Sequence, residues 1–126
     1  YVTDPTPNLK LLTNGIFNSG ESFRIHWVSL HMHELGTTAK LSIQSGGAEQ
    51  CLLDIPRWDF NWQLGYWPRS SVIFNPGDRL KISCTWDNSP GNQRRVDGEV
   101  VEPRDVSWGD GTSDEMCLGV LYISRL

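Results

Sequence analysis

Two histidines separated by one residue, His31 and His33, have the type and spacing for metal chemistry. On a β-strand, residues i and i+2 point to the same side with Cα atoms about 6.5–7 Å apart, so two imidazoles at this spacing can converge on one ion. Histidines on strands are more often surface residues or hydrogen-bonded core residues. The pair therefore predicts a metal site only if a third ligand accompanies it.

A candidate third ligand is Met116, in the run Asp-Glu-Met-Cys at 114–117. A thioether sulfur added to two imidazoles makes a soft site of nitrogen and sulfur ligands, which favours Cu(I) over zinc or magnesium. The alternative is a methionine that only packs in the core, which is the commoner role. Five carboxylates are candidates to accept hydrogen bonds from the imidazole N–H groups, with an ordinary surface position as the alternative for each. They are Asp59, Asp87, Asp110, Asp114 and Glu115.

The elements around these residues are predicted to be strands. Apolar residues make up 38% of the chain, and 12 glycines and 7 prolines divide it into short apolar runs, which is typical of an all-β domain. If the first strand has no bulge, Phe23, Ile25 and Trp27 share one face with His31 and His33, and both histidines point inward. The predicted strands are 22–33, 40–44, 50–55, 59–65, 71–74, 79–86 and 116–123.

Between the strands, the run Asn-Pro-Gly-Asp at 75–78 has the proline and glycine of a type II turn. Residues 87–111 are expected to form a long surface loop with a brief strand near 106–108. Most of the six tryptophans are expected in the core. Three cysteines allow at most one intramolecular disulfide, and Cys51, inside an apolar run, is expected to be a small buried hydrophobe.

Bulk properties restrict the partners. A length of 126 residues fits one domain. The net charge of −4, with scattered lysines and arginines, provides no basic face, so neither nucleic acid nor a membrane surface is an expected partner. No apolar run approaches the roughly 20 residues of a membrane span. The sequence begins at Tyr1 and not at Met, so we expect that a signal peptide or an upstream region has been removed.

Three motifs, in order, carry a resemblance to a known family. They are His-Met-His-Glu-Leu-Gly at 31–36, Gly-Asp-Arg-Leu at 77–80 with Cys84 after it, and Asp-Glu-Met-Cys at 114–117. Together they resemble the second, copper-binding domain of the copper type II ascorbate-dependent monooxygenases, such as peptidylglycine α-hydroxylating monooxygenase and dopamine β-monooxygenase. The resemblance covers residues 15–126 and leaves 1–14 as an N-terminal edge segment or linker remnant. Tryptophan-rich segments such as 58–63 look more like bacterial members.

The resemblance implies a single antiparallel, jelly-roll-like β-sandwich that holds one copper ion, Cu(I) or Cu(II), through His31, His33 and Met116. It also implies a disulfide between Cys84 and Cys117 and an extracytoplasmic location, secreted or periplasmic. The implied function is to bind and activate O₂ for hydroxylation of a C–H bond in a small-molecule substrate, with ascorbate or another domain as the source of electrons.

The sequence departs from the family in two respects. The family's enzymes hold a second copper on three histidines in a preceding domain, whereas only His26 remains here, so an upstream redox or copper domain is an expected partner. The positions that match the family's substrate-carboxylate contacts are Ser29, Leu118 and Val120, none of which can hold a carboxylate by charge. A glycine-extended peptide is therefore a poor candidate substrate. The alternative function is a non-catalytic copper carrier or store, or a jelly-roll interaction module.

Overall fold

The computed structural model describes residues 20–126, and this range is nearly all β. Within it, the one helical turn is a 3₁₀ turn at Pro90–Asn92. No helix of this range is long and apolar enough to cross a membrane. The segment 1–14, predicted as an edge or linker, lies outside the described residues. The strands are β1 (Phe23–His31), β2 (Gly36–Ser45), β3 (Ala48–Ile55), β4 (Gly65–Tyr66), β5 (Val72–Phe74), β6 (Arg79–Trp86), β7 (Arg95–Val96), β8 (Glu99–Val100) and β9 (Leu118–Arg125).

Two antiparallel sheets make the sandwich. In the first sheet β1 is central, with β9 along one side and β4 and β5 along the other. In the second sheet β2 lies between β3 and β6. The core is built from the inner faces of both sheets and includes Val28, Leu30, Leu41 and Ile43, each no more than 2% exposed. The predicted all-β sandwich is confirmed.

Strand β1 contains a β-bulge. Its register with β9 pairs Ile25 with Ile123 but Trp27 with Tyr122, so His26 is an extra residue on β1. One extra residue moves every later side chain of the strand to the opposite face of the sheet.

The bulge changes which residues face the core. Val28, Leu30 and Met32 are at most 1% exposed and point inward. Trp27 and His31 alternate with them and lie on the outer face of the sheet. The prediction that Trp27 and His31 continue the inward face of the strand is therefore wrong, because it assumed a strand without a bulge.

The segment between β3 and β5 differs from its prediction. Residues 59–65 were expected to form a strand, but the extended part is only Gly65–Tyr66. A turn precedes it, in which the Trp62 N–H donates to the Asp59 carbonyl at 3.0 Å. The loop at 87–111 contains the short β7–β8 hairpin, and Trp108 makes a single bridge to Glu115 in place of the expected brief strand.

The turn at 75–78 agrees with its prediction. The Asp78 N–H donates to the Asn75 carbonyl at 3.0 Å, and Gly77 has a φ of 91°, a left-handed conformation that glycine adopts without steric cost. The strand that follows, β6, has the predicted bounds.

Two expectations about burial are wrong. Only Trp58, 8% exposed, is a fully buried tryptophan, whereas Trp62 and Trp67 are 72% and 74% exposed. Cys51 is an exposed free thiol. It lies opposite Ser42 after an irregularity in the β2–β3 register, and this places it away from the apolar face of its strand.

A disulfide joins Cys84 in β6 to Cys117, which immediately precedes β9, and so confirms the pairing that the resemblance implied. It links the two sheets directly beside Met116. Closing a loop between residues 33 apart restricts the unfolded chain. In the chain-entropy treatment this contributes about 3.7 kcal/mol to stability.

Candidate metal centre

The two histidines of the predicted site meet at one end of the central strand. His31 is the last residue of β1, and His33 follows it in the connection to β2. Their ring centroids are 5.0 Å apart and the ring planes stand at 81°. His33 is 4% exposed, whereas His31 is partly exposed on the outer face. The pair is therefore close enough for both rings to contact one ion, and it is reached from the outer face of the first sheet.

The protonation of His33 follows from its partner. Its Nδ1 lies 2.9 Å from the main-chain carbonyl oxygen of Asp114. A carbonyl oxygen can only accept a hydrogen bond, so Nδ1 carries the proton. In the neutral ring, Nε2 then has its lone pair available for a metal. The Phe60 ring stands edge-on to this imidazole, with the centroids 6.1 Å apart.

The side-chain amide of Gln63 sets the position of the ring proton in His31. His31 Nδ1 lies 2.6 Å from Gln63 Oε1. The orientation of this amide is set by its other end, because Gln63 Nε2 donates to the Phe60 carbonyl at 2.7 Å. Gln63 Oε1 therefore accepts from His31 Nδ1–H, and the Nε2 lone pair of His31 is also available.

Glu115 ties the histidine segment to the segment that carries Met116. The residue is 6% exposed, and its carboxylate accepts three hydrogen bonds. The main-chain N–H groups of His33 and Leu35 donate at 3.1 and 2.7 Å, and the indole N–H of Trp86 donates at 2.7 Å. The carboxylate thus fixes the turn after His33 against both β6 and the 114–117 segment.

Further contacts hold this turn. The Asp87 N–H donates to the Leu35 carbonyl at 2.9 Å. Hydrogen bonds from the backbone N–H and hydroxyl of Ser89 hold the pKa of the Asp87 carboxyl below its usual value, which keeps it ionised where the loop turns back. A Cβ on Gly36 would lie 2.8 Å from atoms of both Met32 and Trp58, so the turn packs this closely only with glycine.

Met116 lies at the same end of the sandwich and is 8% exposed. It directly follows Asp114 and Glu115, whose main-chain carbonyl and side chain contact His33, and it lies two residues before Leu118, which pairs with His31. Within residues 20–126, no three side chains from His, Cys, Asp and Glu come together as a ligand group. The thioether of Met116 is of a type outside that set, and Met116 stays the predicted third ligand. Two imidazoles with a thioether would match the ligand preference of Cu(I).

The acceptors that orient the imidazoles are not the carboxylates considered from the sequence. Asp59 instead accepts from the Asn61 N–H at 2.9 Å, within its own turn. Asp114 contributes its main-chain carbonyl to His33, and the acceptor for His31 is Gln63. The sequence contains no signal for either contact, because one uses a main-chain atom and the other depends on the turn at 58–63.

His26 is separate from the pair. Its Nε2 lies 2.8 Å from Ser124 Oγ, and its ring packs against Tyr122 at a centroid distance of 5.4 Å. Five residues along β1 separate it from His31, a distance of about 16 Å on an extended strand. It therefore takes no part in the site.

These features define the class of the protein: an all-β sandwich domain with a candidate mononuclear metal centre at the end of its central strand. The family model for the copper type II ascorbate-dependent monooxygenase, C-terminal domain, matches residues 10–124. The chain belongs to this family, and this membership supports copper as its metal. No individual curated protein matches the chain.

Proposed function

We propose that His31 Nε2, His33 Nε2 and the sulfur of Met116 bind one copper ion, and that the domain is the O₂-activating half of an ascorbate-dependent monooxygenase. The observation that carries the proposal is the pair of imidazoles with ring centroids 5.0 Å apart, each with Nδ1 engaged by an acceptor. When bound, copper supplies the one-electron redox chemistry by which O₂ is reduced and a C–H bond is hydroxylated.

The chain's own residues prepare the site. Gln63 and the Asp114 carbonyl each accept a hydrogen bond from an Nδ1–H group, which fixes the rotation of each imidazole and leaves Nε2 as the nitrogen that can bind a metal. Glu115 holds the backbone of His33 beside the Met116 segment. The disulfide from Cys117 to β6 fixes the other side of that segment. The ligands are thereby held in place before a metal arrives, which lowers the cost of binding.

The reaction needs electrons from outside the described residues. Hydroxylation places one oxygen atom of O₂ in the substrate and releases the other as water, which consumes two electrons and two protons. We propose that ascorbate, directly or through an upstream redox or copper domain, supplies them. The disulfide supports an extracytoplasmic location, where such a bond is stable.

The test compares two histidine variants of the same chain. Copper stoichiometry and ascorbate-dependent O₂ consumption are measured for the wild type, His31→Ala and His26→Ala. We expect one copper per chain in the wild type and in His26→Ala, because the His26 ring bonds to Ser124 and packs against Tyr122, away from the histidine pair. His31→Ala should lose tight copper binding. A strong copper site that survives His31→Ala would refute the assignment.

A second candidate function is a copper carrier or store without turnover. It is favoured by Ser29, Leu118 and Val120, which match the family's substrate-carboxylate contacts but cannot hold a carboxylate by charge. Tight Cu(I) binding without O₂ consumption, measured with ascorbate present and with the natural full-length precursor, would support this function. Turnover of any C–H substrate by the precursor would exclude it.

A further inference from the structure

The outer face of the first sheet continues from His31 as an uncharged surface. Two residues before His31, on the same face of β1, Ser29 pairs with Val120 of β9 on one side and with Gly65 of β4 on the other. The Ser29 hydroxyl donates to the Leu64 carbonyl at 3.0 Å, so its polar group is engaged within the protein. Leu64 and Val120 are 48% and 51% exposed. This step of the surface is therefore apolar and open to solvent.

Two residues further along this face of β1, at Trp27, lies a row of three aromatic rings. Trp27 pairs with Tyr122 of β9, and on its other side its ring meets that of Trp67 edge-on, with the centroids 6.5 Å apart. The Trp27 indole covers Gly65, where even a Cβ would collide with it. Tyr122 and Trp67 are 64% and 74% exposed, so the row presents two accessible rings on either side of a supported one.

We call the outward surface formed by Trp27, Ser29, Leu64, Trp67, Val120 and Tyr122 the aromatic shelf. None of these side chains carries a charge. A carboxylate placed there would lose water without gaining an ionic partner. An ammonium group would gain only the weak cation–π contact of an exposed ring, whereas an apolar ring would gain contact over its whole face. The shelf therefore favours an uncharged ring over a charged group.

The extent of the shelf indicates the size of its ligand. Trp27 and His31 are four residues apart, which is a distance of about 13 Å along an extended strand. The four exposed apolar side chains present roughly 450 Å², taking about 150–250 Å² for each aromatic residue, which is within the range of functional surface patches. A stable protein interface needs about 800 Å² on each partner. The shelf is thus too small for a stable protein partner and suits a small molecule.

We propose that the aromatic shelf binds the substrate of this domain, an uncharged, elongated molecule whose distal aromatic ring packs on Trp67 and Tyr122 while its reacting end lies beside His31. The assignment of the reacting end rests on the proposed copper function. The affinity of the shelf for an uncharged ring is independent of the copper function, because it depends only on the shelf residues. Trp67 and Tyr122 are then the residues that determine specificity.

The test measures binding and not turnover. Calorimetry is carried out on the copper-free and Cu(I)-loaded chain with three probes of one shape: para-biphenylmethanol, the anion para-biphenylcarboxylate and the cation para-biphenylmethylammonium. The neutral probe should bind at least tenfold more tightly than either ion. Trp67→Ala and Tyr122→Ala should each weaken it about tenfold, whereas Trp67→Phe should lose less than threefold because a ring is kept. The control is Val100→Ser, an exposed apolar residue on β8, which should change nothing.

Several results would overturn the proposal. One is that a charged probe binds as tightly as the neutral probe or more tightly, and another is that neither alanine variant changes the binding of the neutral probe. A third is that the shelf binds cellobiose, a sugar without an aromatic ring, and not the biphenyl probe. A fourth is that the chain forms a dimer that Tyr122→Ala dissociates. The copper proposal is separated by a Cu(I) competition titration on the same samples. Loss of copper binding with the expected probe pattern would refute the proposed function and support the shelf. Normal copper binding without that pattern would refute the shelf alone.

Discussion

Removal of the Glu115 carboxylate gives the sharpest test of how the candidate metal centre is held together. Its oxygens accept from three donors that belong to different parts of the chain: the main-chain N–H groups of His33 and Leu35, and the Trp86 indole. With Glu115 only 6% exposed, these donors have little alternative contact with water. Glu115→Ala should therefore both destabilise the fold and release the histidine turn.

The magnitude follows from the number of lost hydrogen bonds. Bonds to a charged acceptor contribute about 1.5–3 kcal/mol each, and water that enters the vacated space replaces part of that. For Glu115→Ala we expect a loss of about 4 kcal/mol in the free energy of unfolding. Glu115→Gln keeps the shape but has one acceptor oxygen and turns an NH₂ group toward a donor, so we expect about 2 kcal/mol. At about 3–4 °C per kcal/mol for a domain of this size, the melting temperature falls by about 14 °C and 7 °C.

Thermal unfolding by circular dichroism and a Cu(I) competition titration measure the two effects on the same variants. Copper affinity should fall about 10–100-fold in Glu115→Ala, the range seen when groups that orient metal ligands are removed. Glu99, exposed on β8, provides the matched control, and Glu99→Ala should alter neither quantity. Glu115 does not hold the histidine turn in place if Glu115→Ala melts within 2 °C of that control, or if it loses stability while its copper affinity stays at the wild-type value.

Three further predictions concern the surroundings of the site. Breaking the disulfide by Cys117→Ser should cost about 3.7 kcal/mol, seen as a lower midpoint of denaturation, while Cys51→Ser, at an exposed thiol, should have no effect. Gly36→Ala should destabilise by about 1–3 kcal/mol because its Cβ meets packed side chains, and thermal melts would show it. Gln63→Leu removes the acceptor of His31 Nδ1–H, so Cu(I) affinity should fall about tenfold with little change in melting temperature, and ¹⁵N NMR should show a mixture of ring tautomers.

The parts of the fold that can be predicted from sequence depend on a few adjacent residues. The turn at 75–78 needs only its proline and glycine, and strand β6 follows it with the expected bounds. The sandwich class likewise follows from the short apolar runs. The bulge at His26 has no such local sign, because Ile25 and Trp27 alternate as they would in a regular strand. It is visible only in the pairing with β9, a contact between segments far apart in the chain.

The same bulge explains how the site differs from its prediction. The spacing of His31 and His33 is enough to predict that the two rings meet, and the family resemblance selects copper. Without the bulge, His31 would point between the sheets with the core residues, where no substrate could reach it. The reversed alternation buries Met32 instead and turns His31 to the outer face, while His33, beyond the end of the strand, remains 4% exposed. The β-bulge thus gives the candidate metal centre one buried histidine, His33, and one histidine that faces an open surface, His31.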